Sequence, residues 1–263
     1  LKRGIGGAAE ATVISQAISG LGLGLYTWTK EKDVRFDRQH FRFTKTASAE
    51  ILRFSFASSI QQSVMNFGIL MIQGLVNSFG PVVMAAFAAA VKIDSFAYMP
   101  AQEFGNAFSL FISQNHGAGR DDRVKQGMKS ALRVSMAFCL TVSLLIFLFA
   151  PYLMMLFVSP GETEIIAVGV GYLRIEGAFY CGIGILFLLY GYYRGVNRPE
   201  MSLVLTVISL GTRVLLAYVL APVPWIGVYG IWSAIPIGWI LADITGILYR
   251  KRLEKAGTGS ENL

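Results

Sequence analysis

Seven long apolar stretches alternate with short polar connections, at approximately residues 5–28, 54–78, 81–113, 130–157, 168–193, 199–221 and 226–249. Each is long enough to cross a hydrocarbon core of ~30 Å, which takes ~20 helical residues. None shows the period-two alternation of a barrel strand. Backbone groups in lipid must be satisfied within their own segment, so the pattern predicts helices. Gly80-Pro81 stops one helix and starts the next, Arg198-Pro199 starts the sixth, and the run Asn115-His116-Gly117-Ala118-Gly119 ends the third. The predicted fold is all-α: a polytopic membrane protein with seven transmembrane helices.

The connections alternate in charge, and this fixes an expected orientation. Segment 29–50 carries Lys30, Lys32, Arg35, Arg38, Arg42 and Lys45, whereas the link at Ser78–Pro81 carries no charge. Arg120, Arg123, Lys125, Lys129 and Arg133 follow the third stretch, and link 158–167 has only Glu162 and Glu164. Arg194 and Arg198 come next, then an uncharged Pro222–Pro224 link, then Arg250, Lys251, Arg252 and Lys255. Basic connections stay in the cytoplasm. Loops 29–50 and 116–129 and the C-terminus are therefore expected inside and the N-terminus outside, in the cell membrane. Lys2 and Arg3 run against this rule, and Leu1 replaces an initiator Met directly upstream of an apolar run, so the start reads as truncated. Residues 29–45 mix Phe36, Phe41 and Phe43 with basic residues, which fits either a segment lying on the inner membrane surface or a solvated linker.

Composition reinforces the membrane reading. Of 263 residues 54% are hydrophobic and 15% charged, against about 25% charged in soluble domains. This excludes a disordered chain, a coiled coil and an ordinary water-soluble domain. The net charge of +7 sits in the loops and not on a nucleic-acid-binding face. Cys139 and Cys181 lie inside apolar runs without Cys or His neighbours at metal-ligand spacing, and read as small core residues.

Two apolar stretches carry polar stripes. Ser55, Ser59, Gln62, Asn66, Gln73 and Asn77 fall on one helical face of the second, and Asp94, Tyr98, Gln102, Asn106, Ser109 and Ser113 on one face of the third. Bonding across a dry helix interface explains one or two such residues. Two full-length stripes fit a water-accessible cavity better. Lys92 and Asp94 lie about 16 and 20 Å from the start of their helix, near the bilayer midplane, and about 200° apart around it. Intramembrane charges are candidates for function, with a structural ion pair as the alternative. Pro100 frees the Phe96 carbonyl and is a candidate hinge. Glu176 and Arg213 lie at similar depth on consecutive helices and read as a structural pair. Tyr180 and Phe187 offer ring faces to an organic cation, or pack. Glu10, Glu103 and Asp243 lie nearer the span ends, where snorkelling or water serves them. The glycines of the fifth stretch, Gly169 to Gly191, suit close helix packing or bending. No nucleophile elbow, phosphate loop, paired-carboxylate motif or metal-ligand cluster appears, so neither enzymatic chemistry nor a cofactor is expected.

Several segments resemble the multidrug and toxic compound extrusion family of cation antiporters. Gly4–Gln16 (GIGGAAEATVISQ) resembles the entry to the family's sixth helix, Leu52–Gly80 its seventh with the paired glutamines Gln61 and Gln62, and Ala85–Gly119 its eighth with the following loop. Tyr172–Pro199 and Gly227–Gly238 resemble the tenth and twelfth. The resemblance implies two six-helix lobes around a cavity that opens alternately to each side. Residues 1–28 would be the last helix of a truncated N-terminal lobe, 29–50 the inter-lobe linker, 51–250 the six-helix C-terminal lobe and 251–263 a cytoplasmic tail. The partner regions would be membrane lipid, small organic cations and the missing N-terminal lobe. Where some members carry a seventh-helix carboxylate this chain has Gln61 and Gln62, which leaves Asp94 as the deep candidate.

The resulting expectation is a fragment of an antiporter coupled to Na+ or H+ that exports organic cations by alternating access. Asp94, Gln61, Gln62, Asn66, Lys92, Tyr98 and Tyr180 would form the pathway. Two alternatives stand beside it: a lipid-linked precursor flippase of the same superfamily, which needs a more basic cavity, and a seven-span receptor. Single cysteines introduced at Arg38 and at Gly161 are expected to label from opposite sides of the membrane. Labelling of both from one side contradicts the orientation.

Overall fold

The computed structural model describes residues 4–30 and 44–260. Most of the 29–50 linker therefore lies outside the described residues. The described residues form helices joined by short turns, with no strand among them: α1 (Gly4–Lys30), α2 (Lys45–Asn77), α3 (Pro81–Gly117), α4 (Asp121–Met155), α5 (Thr163–Gly177), α6 (Tyr180–Gly195), α7 (Pro199–Leu220) and α8 (Val228–Ser260). They fall into two compact units, Leu1–Leu52 and Arg53–Leu263. The first holds α1, whose apolar residues from Val13 to Leu25 are exposed, and the opening turns of α2. The second holds everything else.

Four helices combine the length and apolarity of a membrane span: α3, α4, α7 and the Val228–Leu253 part of α8. The α5–α6 pair makes a fifth if its 52° bend is crossed as one segment. The remaining two of the seven apolar stretches, in α1 and α2, are long enough at 27 and 33 residues. Their apolarity is diluted, by Gly, Glu10 and Gln16 in α1 and by the Ser/Gln/Asn row in α2. The structure also moves two boundaries. The connection expected over 116–129 shrinks to 118–120, because α4 already begins at Asp121. Asp121 and Asp122 suit its positive N-terminal end, and Val124, Met128 and Ala131 give the basic segment a buried face. Likewise α8 continues past Arg250-Lys251-Arg252, where a tail was expected.

The contacts of the second unit define helix directions. Asp94 meets Tyr180, Tyr98 lies against Phe187, and Asn106 meets Arg194, so residue numbers rise together and α3 runs parallel to α6. α2 runs parallel to α7 through Arg53–Glu200, Gln61–Thr206 and Tyr218–Met71. α7 and α8 are antiparallel, with Gly230 against Leu220, Gly238 against Ser209 and Gly246 against Leu205. α4 and α5 are antiparallel too, with Gly169 against Met154 and Gly177 against Ile146. These directions alternate as consecutive crossings of a bilayer require, provided α5 and α6 count as one crossing.

Glycine makes the α3–α6 seam possible. A Cβ on Gly105 would stand 2.6 Å from the Phe187 carbonyl oxygen, and one on Gly191 would collide with the Gly105 carbonyl oxygen. Both obstacles are backbone, so neither can swing away. The close-packing role read from the glycine-rich fifth stretch is what these residues perform. Gly191→Ala is expected to lower stability by about 1–3 kcal/mol through overpacking. Gly74→Ala, with nothing within 4 Å of the new methyl, should be neutral or mildly stabilising. Thermal unfolding of the two variants in detergent checks the contrast, and equal melting temperatures would contradict the seam.

Candidate functional site

The break between α5 and α6 builds the site. α5 ends at Gly177, where a side chain would press on Ile146 at 3.2 Å, and Phe179 (φ −117°, ψ 15°) leaves the helical region before α6 restarts at Tyr180. The Phe179 N–H donates to the Glu176 carbonyl and the Gly182 N–H to the Phe179 carbonyl, so the turn is closed by its own backbone. Irregular backbone at membrane depth is tolerated where protein surrounds it. The bend turns Tyr180 toward α3, and its hydroxyl donates to Asp94 Oδ1 at 2.6 Å. Asp94 is 7% exposed, Glu176 and Tyr180 2% each. Glu176, Tyr172 and Arg213 complete the electrostatic surroundings of Asp94. Three helices and a helix break thus converge on two carboxyls and one guanidinium.

An aromatic wall adjoins this cluster. The Phe87 and Trp232 rings stack with centroids 5.5 Å apart, and Tyr172 meets Trp232 edge-on at 4.9 Å. Phe87 lies seven residues before Asp94 and Tyr172 four before Glu176, so each aromatic shares a helix face with its carboxylate. Inside the protein, Glu176 Oε1, Arg213 Nε and Trp232 Nε1 have no hydrogen-bond partner. A buried unsatisfied group costs about 1–3 kcal/mol. Their concentration beside one carboxyl cluster marks a polar site whose bonding is incomplete within the chain. With both carboxyls ionised, Arg213 neutralises one and leaves a single negative charge. The cluster is then one positive charge short of neutrality. No group of three or more His, Cys, Asp or Glu with metal-binding geometry exists among the described residues.

The candidates read from the sequence distribute unevenly. Asp94, Tyr180, Glu176 and Arg213 come together. Glu176 and Arg213, however, are not the closed ion pair expected of them: no salt bridge joins them among the described residues, and each keeps an unpartnered atom. Arg213 lies within electrostatic reach of both Asp94 and Glu176 and is salt-bridged to neither among the described residues. Tyr98 is half-buried beside Phe187, with ring centroids 6.4 Å apart. Lys92 is exposed on the opposite side of α3. Pro100 sits inside an α3 that runs unbroken from Pro81 to Gly117. Gln61 does not face Asp94. It donates to the Thr206 hydroxyl at 3.0 Å, an inter-helix bond between α2 and α7. Gln62 donates to Asn66 at 3.3 Å, and both are exposed. The stripes on α2 and α3 are thus not bonded to each other. Asp243, assigned to a water-facing span end, is in fact buried at 6% exposure, because α8 carries it under α6. Sequence reasoning missed the helix break and Tyr172; the glycine run and the i, i+4 pairing of Tyr172 with Glu176 were the available signals.

Tyr180→Phe removes the Asp94 donor without changing shape. The loss of a hydrogen bond to a charged group is expected to cost about 1.5–3 kcal/mol, read as a lower midpoint in chemical or thermal unfolding. An unchanged midpoint would show that Asp94 finds its partner elsewhere.

Residues 55–219 match the MatE family. The probable multidrug resistance protein YpnP of Bacillus subtilis (strain 168) is 32% identical over 251 residues, covering 94% of this chain and 55% of that protein. The probable multidrug resistance protein NorM of Thermotoga maritima is 27% identical over 259 residues, covering 95% and 52%. Among solved structures, a MOP superfamily transporter from Pyrococcus furiosus superposes with a TM-score of 0.86 at 25% identity, covering 96% of this chain and 57% of that one. The chain spans a little over half the length of these proteins. With more than half of its residues matched by the family and a relative 32% identical over 94% of its length, the chain belongs to the MatE family.

Proposed function

We propose that this chain is the C-terminal part of a cation-coupled antiporter that exports organic cations by alternating access, with Asp94 at the coupling centre. The observation that carries this reading is the charge balance around Asp94. Two buried carboxyls share one Arg213, so the cluster is neutral only with one additional positive charge. Binding that charge at low dielectric removes an uncompensated buried carboxylate, which is worth far more there than in water. A proton and a sodium ion both meet the need, and releasing either restores the imbalance that drives the next step.

The export path is assigned to the polar faces the fold leaves open. Gln62 and Asn66 on α2, and Tyr98 with Gln102 on α3, offer amides and a ring along apolar helices. The missing lobe implied by the family would close a cavity over them. The basic residues around the α3–α4 turn and at the C-terminal end support a cytoplasmic position for both. Alternating access then tilts these helices around the cluster.

In the complete transporter, Asp94→Asn is expected to abolish ion-driven efflux of an organic cation dye from vesicles while expression and insertion stay normal. Repeating the assay with a sodium gradient and with a proton gradient names the coupling ion. Undiminished efflux with unchanged ion dependence would remove Asp94 from the mechanism. Movement of a lipid-linked phosphate instead of the dye would favour the flippase reading.

A further inference from the structure

A third buried carboxyl lies outside this cluster. Asp243 is on α8, about 22 Å along the helix from Val228, and only 6% exposed. Its Oδ1 is sealed and has no hydrogen-bond partner within the protein. No salt bridge among the described residues includes it. α8 packs against α5, α6 and α7. Their charged residues are Glu164, Arg174, Glu176, Arg194, Glu200 and Arg213, and none of these forms a salt bridge or hydrogen bond with Asp243 among the described residues. Tyr190 on α6 is a titratable group near enough to feel its charge.

Oδ2 has a different setting. It faces Gly182, in the first turns of α6, where an added Cβ would stand 3.7 Å from Oδ2 and 3.5 Å from the Trp239 Cβ. Gly182 is itself partly exposed. The side chain that Gly182 lacks therefore leaves a gap above one carboxyl oxygen, while the other oxygen is closed off. A hydrogen-bonded row, Gln61 to Thr206 at 3.0 Å and Thr206 to Tyr190 at 3.0 Å, approaches from α2 and ends at the tyrosine near Asp243.

We propose that Asp243 is a second proton-binding site of this transporter, separate from the Asp94 cluster, reached past Gly182. An unpaired carboxylate in a membrane-spanning core is costly. Binding a proton from water to one carboxyl oxygen removes the charge, and the open side at Oδ2 supplies the route. A metal cation is a poor occupant, because it needs several oxygen ligands and Asp243 belongs to no group of three or more His, Cys, Asp or Glu that could hold one among the described residues. The site does not depend on what Asp94 binds.

Infrared difference spectroscopy of the full chain in lipid nanodiscs, titrated with acid and exchanged into deuterated water, tests this. The parent chain should show a protonated-carboxyl carbonyl band that disappears in Asp243→Asn and persists in Asp94→Asn. Asp243→Glu should shift the band without removing it, which guards against an Asn variant that misfolds. Gly182→Ala, whose methyl makes only ordinary contacts, should keep the band and slow its deuterium shift. A band unaffected by Asp243→Asn, or displaced by sodium at constant pH, overturns the proposal. Exchange as fast in Gly182→Ala as in the parent overturns the access route. Loss of ion-driven efflux in Asp94→Asn bears on the coupling centre and leaves this outcome untouched.

Discussion

The near-contact of two parallel helices, α3 and α6, determines where every other functional group can stand. Gly105 and Gly191 let the two backbones approach to a distance that no side chain permits. From Gly105 back to Asp94 is eleven residues, and from Gly191 back to Tyr180 is also eleven. Three turns along each helix from the seam, about 16 Å, the two side chains therefore arrive at one level and form the bond at 2.6 Å. Parallel packing with equal offsets converts a backbone contact in one part of the bundle into a side-chain contact in another. A one-residue slip would rotate Tyr180 away by about 100°.

Low dielectric gives the contact its consequence. In water, Asp94, Glu176 and Arg213 would interact weakly and independently. With both carboxyls buried and Arg213 half-buried beside them, they act as one unit with an odd number of charges. The α5–α6 break belongs to the same logic. A continuous helix would carry Glu176 and Tyr180 on one straight face, whereas the 52° bend lets α5 present Glu176 and α6 present Tyr180 from different directions. Broken helices at membrane depth recur where transporters hold ions. Here no proline makes the break; Gly177 lies at its edge, pressed against Ile146.

Much of this was legible in the sequence, and the failures have physical causes. Apolar stretches at helix length gave an all-α membrane protein, and the residues resembling extrusion transporters pointed to the family. Asp94 stood out because a charge inside an apolar run is expensive, and Tyr180 because its ring could meet an organic cation. Equal depth suggested that Glu176 and Arg213 pair, but depth is one coordinate, and rotation about the helix axis decides contacts. The same limit misassigned Asp243: position along α8 was near the span end, while its face of α8 was the buried one. Gln61 and Gln62 show the point most simply. As neighbours in sequence they point about 100° apart, so one bonds to α7 and the other stays exposed. The helix break was hidden because a run of glycines reads equally as packing or as bending.

α7 joins the two regions that the sequence treated as separate. Thr206 and Arg213 are seven residues apart and share a helix face. Thr206 accepts from Gln61 on α2 and lies 3.0 Å from the Tyr190 hydroxyl on α6, while Arg213 serves Asp94 and Glu176. At one end of α7, Arg53 and Glu200 pair α2 to the same helix. α2 is thereby tied at two levels to the helix that carries the single guanidinium of the carboxyl cluster. Sliding α7 by even a fraction of a turn would change the distance from Arg213 to both carboxyls and strain the Gln61 bond together. Helix displacement and charge balance are therefore mechanically linked through one element.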